Sequence, residues 1–485
     1  MSNLEPKGQP AASGKLYEEA KTVFPRQIDG RFRRLKWFIM VVTLTIYYAT
    51  PWLRWDRGPY SPDQAVLVDL AHRRFYMFAI EIWPQEFYFV AGLLIMAGIG
   101  LFLITSAVGR AWCGYACPQT VWTDLFQHID RWIDGDRNAQ IRLRDGPWTA
   151  AKIGKRLFKW SIYLFISFCT GGAWIMYFAD APTMLHEWWS GQAAPVAYAT
   201  VAVLTATTFL LGGFMREQVC VYMCPWPRIQ SAMLDKKSLV VTYKHWRGEP
   251  RGSVKAAQGA TDPAGDCVDC GLCTAVCPTG IDIREGSQIG CITCALCIDA
   301  CDRVMGQLGR PRGLIDYATL EDSEREMAGE KPRSHWKLIW HTRTLVYFGI
   351  WSSIGVALLF ALGTRQHLAI SVAKDRNPPY MLMSSGELRN AYTVKLRNME
   401  GRPRLMELTL EGVPQAEMWS GDMGRKDASR RIVRNVAADQ TEPLRIYVVA
   451  PAGTPEQNLG FTMRALDADG GQVYYATRFD APAQP

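Results

Sequence analysis

Eight of the 13 cysteines lie between Cys267 and Cys301, in two copies of one spacing, C-x2-C-x2-C-x3-C. The first copy is Cys267, Cys270, Cys273 and Cys277; the second is Cys291, Cys294, Cys297 and Cys301. Thiolates at this spacing are the ligand set of cubane [4Fe–4S] clusters: three cysteines on a tight loop clamp three irons and the fourth reaches away, in two-cluster proteins to the other cluster. On that rule one cluster takes Cys267, Cys270, Cys273 and Cys301, and the other takes Cys291, Cys294, Cys297 and Cys277. Such sharing predicts clusters close enough for fast electron hopping. Structural zinc and disulfides are the competing uses. Zinc sites usually pair ligands across a longer spacer, often with His, and no His lies between Cys267 and Cys301. Pro278 follows the first copy, whereas Asp302 stands where a second Pro is expected; this weakens a local turn argument and removes no ligand.

A second thiol set repeats elsewhere. Cys113 and Cys117 precede Pro118, and Cys220 and Cys224 precede Pro225; both read C-x-Y-x-C-P, with Tyr115 and Tyr222 in the middle. If a helix ran on to the second cysteine, i and i+4 would share a side, and the Pro would break that helix or start the next one. Two such pairs could meet to offer four thiols at a membrane boundary. Soft thiolates suit Cu(I), zinc or an iron–sulfur centre, and the bland reading is reduced cysteines packed at a helix end. Repetition with matching Pro and Tyr favours a functional thiol site. Cys169 stands alone in an apolar run and reads as a core residue. No pair of His recurs at a spacing that suggests haem b, and no glycine-rich nucleotide fingerprint is evident.

The elements that must position these thiols are apolar runs set in basic connectors. The chain has 485 residues, 48% hydrophobic and 21% charged, with a net charge of +8. Five runs could span a roughly 30 Å hydrocarbon core: about 37–53, 87–108, 157–179, 195–215 and 338–362. The positive charge is explained by Lys and Arg flanking these runs, so nucleic acid is not expected as a partner. The N-terminal segment, the 109–156 connector and the 216–337 segment are basic, whereas residues 180–195 carry no Lys or Arg. The positive-inside rule then places the N-terminus and the cluster motifs in the cytoplasm and the C-terminus outside, and a cysteine cluster of this kind fits a reducing compartment. No signal peptide is read at the N-terminus. Residues 54–85 read as a short extracytoplasmic hairpin.

From about 366 the pattern changes to alternation. Tyr392, Val394 and Leu396 alternate with Thr393, Lys395 and Arg397; Leu444, Ile446 and Val448, and then Phe461, Met463 and Ala465, do the same. Asp469-Gly470-Gly471 offers a hairpin turn. Short strands of this kind suggest an immunoglobulin-type β-sandwich without a disulfide, acting as a docking module or a passive cap. The expected organisation is therefore a multi-domain membrane protein: a cytoplasmic basic segment at 1–36, four transmembrane helices with two C-x3-C-P motifs at 37–225, a cytoplasmic 2[4Fe–4S] ferredoxin-like insert at 226–337, a fifth helix at 338–363 completing a five-helix α bundle, and a periplasmic immunoglobulin-like domain at 366–485.

The motifs WCGYACPQTVW, RWIDGDRNA, CVYMCPWPRIQ, CPTGIDIREG, CITCALCIDACD and PRGLI resemble those of the CcoG/FixG/RdxA membrane polyferredoxins, the cytochrome c oxidase accessory proteins. The resemblance spans about residues 35–480. It implies two [4Fe–4S] clusters on the eight ferredoxin cysteines, copper-handling thiols at Cys113, Cys117, Cys220 and Cys224, and reduction of Cu(II) to Cu(I) during assembly of a cbb3-type cytochrome oxidase in a bacterial inner membrane. The partners it implies are the lipid bilayer, oxidase subunits or a copper transporter or chaperone, and a cytosolic electron donor of unknown identity; a homodimer is left open. Two rivals remain: a quinol-linked membrane electron carrier, and a non-catalytic assembly scaffold whose clusters sense redox state.

Overall fold

The computed structural model describes residues 22–59, 61–252, 265–331, 333, 341–365, 368–468 and 470–482. The leader up to residue 21, residues 338–340 of the fifth apolar run and Asp469 of the expected hairpin turn lie outside the described residues. Two compact units emerge: one carries the helices and cysteine motifs up to Gly355, and the other takes Leu53–Ala65, Tyr76–Glu81 and Val356–Pro485.

Among the described residues, three helices are long and apolar enough to cross a membrane: Phe87–Val108, Pro195–Met215 and Thr342–Gly363. The expected runs at 87–108 and 195–215 coincide with the first two. Helices also cover much of the first and third runs, but they begin earlier, inside basic sequence. The first, α1 (Arg31–Ala49), starts among residues read as a basic leader. Its first-turn N–H groups are capped from far away: Asp299 accepts from Phe32 N at 3.3 Å and from Arg33 N at 2.8 Å, placing a carboxylate at the positive end of the helix.

Chain order continues with α2 (Phe87–Val108), α3 (Ala111–Tyr115), α4 (Pro118–Asp134), α5 (Arg137–Asp145) and α6 (Ala150–Ile175). The start of α6 is set by Thr149, whose side chain accepts from Lys152 N at 3.2 Å, an ordinary N-cap. The 180–195 segment, free of Lys and Arg, contains α7 (Ala181–Ser190), capped by Asp180. Next, α8 (Pro195–Thr207) passes into a π-helical stretch at Thr208–Met215. A Cβ at Gly212 would lie 2.7 Å from the Phe126 ring, so only glycine lets this stretch close on α4. A second π turn at Val219–Met223 leads to α9 (Trp226–Met233). The 54–85 segment holds three short strands, Val66–Asp69, Arg74–Met77 and Ile80–Ile82, rather than a two-stranded hairpin.

The cluster motifs are bracketed by two strands, Val240–Tyr243 and Ile315–Ala318, paired antiparallel with Val240 opposite Ala318. Helix Leu272–Ala275 carries Cys273 of the first motif, and helix Leu296–Gln307 carries Cys297 and Cys301 of the second. Val241, Tyr243, Ile298, Met305, Leu314 and Ile315 pack around the cysteines as a core.

The C-terminal unit is a sandwich of two sheets. One orders strands Glu417–Ser420, Thr441–Ala450, Leu388–Asn398 and Leu368–Lys374; the other orders Arg431–Val436, Arg404–Glu411, Gln457–Ala465 and Gln472–Phe479. The three alternating stretches in the sequence point their apolar residues inward: Tyr392, Val394, Leu396, Ile446, Val448, Phe461 and Met463 are all fully buried. The last two strands pair antiparallel, with Arg464 opposite Gln472. The turn between them takes φ of 63° at Gly470 and 108° at Gly471, values that glycine adopts without cost.

Candidate iron–sulfur and thiol site

Each copy of the cysteine spacing is wrapped by the same backbone device. In the first, Asp269 and Gly271 take φ of 49° and 63°; in the second, the equivalent Thr293 and Ala295 take 51° and 61°. A left-handed residue on either side of the middle cysteine curls the loop so that the thiols converge. For Ala295 this conformation costs about 1–2 kcal/mol, which marks the curl as held by its surroundings. After Cys277 the chain turns at Pro278, but after Cys301 the helix runs on through Asp302 to Gln307. Asp302 there accepts from Gly313 N at 2.9 Å, a role proline could not fill.

Two cavities result. One is walled by Cys267, Cys270, Cys273 and Cys301 with Tyr243, Leu272, Val304 and Met305. The other is walled by Cys277, Cys291, Cys294 and Cys297 with Val241, Ile281, Ile292 and Leu296, and Cys273 borders it too. The fourth cysteine of each sequence copy thus lies in the cavity of the other copy. Four soft thiols in a largely apolar wall fit a cubane cluster.

Burial pushes the Cys294 and Cys301 thiols up to about 12 and raises Cys273, Cys291 and Cys297 as well. Loading such a site exchanges thiol protons for iron. Cations oppose the rise: Arg284 acts on Cys273, Lys36 on Cys294 and Arg110 on Cys291. Those charges would favour the more negative, reduced state of a cluster. Cys270 is exposed, whereas Cys294 is only 7% exposed, so the first cavity lies nearer solvent and the second lies deeper.

The first C-x3-C-P motif sits against the deeper cavity. Cys113 packs in one apolar cluster with Ile292, Cys294 and Leu296. The Tyr115 hydroxyl donates to the Cys294 carbonyl at 3.1 Å. A Cβ at Gly114 would come 2.6 Å from Ile292 O and 3.0 Å from Cys294 Cα, so this close approach requires glycine. The second motif reaches the same place. Cys220 lines a cavity with Lys36, Asp124, Pro278, Thr279 and Ile292, and Thr279 and Ile292 also wall the deeper cluster cavity.

In neither pair does a helix run on to the second thiol. Cys113 lies in α3, but Cys117 is extended and Pro118 opens α4. In the second motif a π turn ends at Cys224, which is also extended; π turns recur at functional sites. The turn, not a shared helix face, therefore sets the geometry of each pair. The two pairs do converge. Burial pushes the Cys113 thiol up to about 12; Arg110 pulls it down, and Cys117, Cys220 and Cys224 add to the rise. Cys220 is pushed up to about 11, chiefly by burial and then by Cys117 and Cys224. Cys113 is turned toward Gln230 Oε1, 3.0 Å away. Among the described residues no three His, Cys, Asp or Glu side chains form a ready cage for a single ion. Cys169 lies in α6, away from both motifs in sequence, and is half-buried.

Several residues around the site went unremarked in the sequence. Arg110 is 3% exposed, donates to Ile289 O at 2.6 Å and acts electrostatically on Cys113, Cys220 and Cys291 together. Arg33 and Lys36, read as part of a basic leader, are buried on Asp124 at 2.7 and 3.7 Å. The available signal was the position of Arg110 at the mouth of the C-x3-C-P motif and an Asp on the apolar-flanked face of α4.

Paired thiol-walled cavities beside membrane-length apolar helices define a membrane-bound iron–sulfur electron-transfer protein. Comparison with known families agrees. A 4Fe–4S dicluster domain matches residues 215–320, a 4Fe–4S binding domain matches 89–138, and the immunoglobulin-like fold at the C-terminus of FixG matches 358–482. The nitrogen fixation protein FixG of Rhizobium meliloti is 54% identical over 495 residues, covering 97% of this chain and 94% of that protein. Proteins RdxB and RdxA of Cereibacter sphaeroides are each 54% identical, covering 91% and 94% of this chain and 92% and 96% of their own lengths. The chain belongs to the FixG/RdxA family of membrane polyferredoxins.

Proposed function

We propose that the protein relays electrons to Cu(II) at the paired thiols and so supplies Cu(I) during assembly of a cbb3-type cytochrome oxidase. The observation that carries this reading is the packing of Gly114 and Tyr115 directly on the Cys294 loop. In it, Cys267, Cys270, Cys273 and Cys301 hold the cluster nearer solvent, and Cys277, Cys291, Cys294 and Cys297 hold the deeper one. When bound, the clusters supply single electrons. Cys270, at the surface, faces a cytosolic donor. Cys113, Cys117, Cys220 and Cys224 take Cu(II) as substrate and retain it as the softer Cu(I), which thiolates favour. Reduction of each Cu(II) to Cu(I) takes one electron, which a cluster held by Cys277, Cys291, Cys294 and Cys297 would supply. Copper is a passing substrate, and a copper transporter or chaperone removes it. Arg110 compensates the thiolate charge that copper binding creates.

In this reading α1 and α6 join the three apolar helices as a five-helix bundle. The N-terminus and clusters face the cytoplasm, and the immunoglobulin-like domain faces the periplasm, where it docks oxidase subunits. The density of Lys and Arg on the cluster side supports that orientation.

A second reading rests on one observation: the two 4Fe–4S family matches cover both C-x3-C-P pairs as well as the eight motif cysteines. Under it the pairs hold iron and pass electrons onward without copper. One experiment separates the two: anaerobic purification, iron and sulfide analysis, and a Cu(II) reduction assay on wild type and on a variant with Ser at 113, 117, 220 and 224. The copper reading expects iron for two cubes in both proteins and loss of reduction in the variant. An unchanged rate removes the thiols from the reaction. Iron beyond two cubes that disappears in the variant favours the second reading.

A further inference from the structure

Away from the cysteines, α4, α5, α6 and the π-helical stretch enclose a cavity of about 230 Å³. Its floor is a charged knot. Asp130 accepts from the Tyr163 hydroxyl, pairs with Arg216 at 2.6 Å and lies 3.3 Å from Lys159 Nζ. Asp134 pairs with Lys159 through Oδ2. Asp134 is 9% exposed, and its Oδ1 is buried without a donor. An acceptor left this way costs about 1–3 kcal/mol unless a ligand satisfies it.

Further cations and apolar surface also line the cavity. Arg144 and Arg156 stand at the cavity wall, Arg156 stacked over the Trp148 ring at 4.6 Å and Arg144 over Phe24 at 5.2 Å. Trp160 and Phe214 also line it. Phe214 is 48% exposed, and Leu157 and Phe158 beside it in sequence on α6 are 57% and 54% exposed, at the point where the chain begins its third apolar run. A ligand for this cavity needs a cationic donor at one end, an anion at the other and an apolar tail that leaves along α6.

We infer that the cavity seats the headgroup of an aminophospholipid. The primary ammonium pairs with the Asp134 carboxylate at the cavity wall, the phosphodiester lies between Arg144 and Arg156, and the acyl chains run over Leu157, Phe158 and Phe214. A choline headgroup lacks the N–H donors, and a glycerol headgroup lacks the positive charge. The same amine–phosphate chemistry is carried by soluble phosphoethanolamine, which has no tail to hold. The seat touches the electron-transfer site through Arg216 and Glu217, which line both this cavity and the one containing Cys220. The inference stands independently of the copper reading.

The test is native mass spectrometry of the full-length protein in detergent, with phosphatidylethanolamine, phosphatidylcholine and phosphatidylglycerol of identical acyl chains. The expected result is retention of phosphatidylethanolamine at least about tenfold over the other two, the scale of a hydrogen bond to a charged group. Asp134→Asn should erase that preference. Arg156→Gln, which leaves the floor intact, should weaken all three lipids, because they share the phosphodiester, and keep the preference for phosphatidylethanolamine. Equal retention of all three lipids, or a preference unchanged in Asp134→Asn, would overturn the site. Displacement of the lipid by equimolar phosphoethanolamine would overturn its assignment to a membrane lipid.

Discussion

The hydroxyl of Tyr115, the middle residue of the first C-x3-C-P motif, donates a 3.1 Å hydrogen bond to the carbonyl of Cys294, the middle cysteine of the second cluster motif. Two motifs far apart in sequence thereby become one site. Asp299, in the helix that follows Cys294, caps α1 and so ties the cluster segment to that helix as well. The separation between the deeper cluster cavity and the thiol pairs is therefore set by packed backbone, not by a linker.

This contact yields a direct test by substitution. Gly114→Ala introduces a Cβ 2.6 Å from Ile292 O, and the overpacking should cost about 1–3 kcal/mol. The expected outcome is a lower unfolding midpoint and slower electron delivery to Cu(II), with both clusters still present by iron analysis. Wild-type reduction rates in Gly114→Ala would show that the contact is not on the route.

The crossing of ligands between the two sequence copies gives a second test. Cys301→Ser should damage the cluster of Cys267, Cys270 and Cys273 and spare the other. Cys277→Ser should do the reverse. Electron paramagnetic resonance of the reduced variants distinguishes these outcomes, and damage confined to the cluster of the mutated residue's own sequence copy would refute the crossing.

Asp124 supports a prediction about acid stability. Burial works against its charge, but Lys36 and Arg33 outweigh that and hold its carboxyl below the usual range. A depressed folded-state value means that the stabilisation is fully present above the ordinary carboxylate value of about 3.9 and is lost as pH falls through the folded value. The contribution of this group should thus be flat from neutral pH to about pH 5. Asp124→Ala strands two buried cations and should cost about 3–5 kcal/mol, read as a drop in the thermal midpoint at neutral pH.

Much of this was legible in the cysteines, because four ligands per cube restrict the spacing and the sharing rule assigns the rest. The ends of the second and fourth apolar runs were legible too, since Arg110 and Arg216 stop them abruptly. The alternation of Tyr392, Val394 and Leu396 revealed its strand because one face is buried and the other wet. What could not be read were contacts between distant segments. Arg33 lies 91 residues from Asp124, and nothing local separates a buried basic residue from a solvated one, so α1 was expected to start too late. The π-helical stretch at Thr208–Met215 likewise depends on the tertiary packing of Gly212 against Phe126, not on any local propensity.

The central claim is that electrons leave the deeper cluster for the paired thiols. Rapid-freeze paramagnetic resonance after mixing fully reduced protein with Cu(II) tests it most directly. The account predicts that the signal of the Cys277, Cys291, Cys294 and Cys297 cluster disappears as Cu(I) forms, and that this signal persists when Cys113, Cys117, Cys220 and Cys224 are Ser. Discharge at the same rate in that variant, or discharge of the Cys270-side cluster while the deeper one stays reduced, would contradict it.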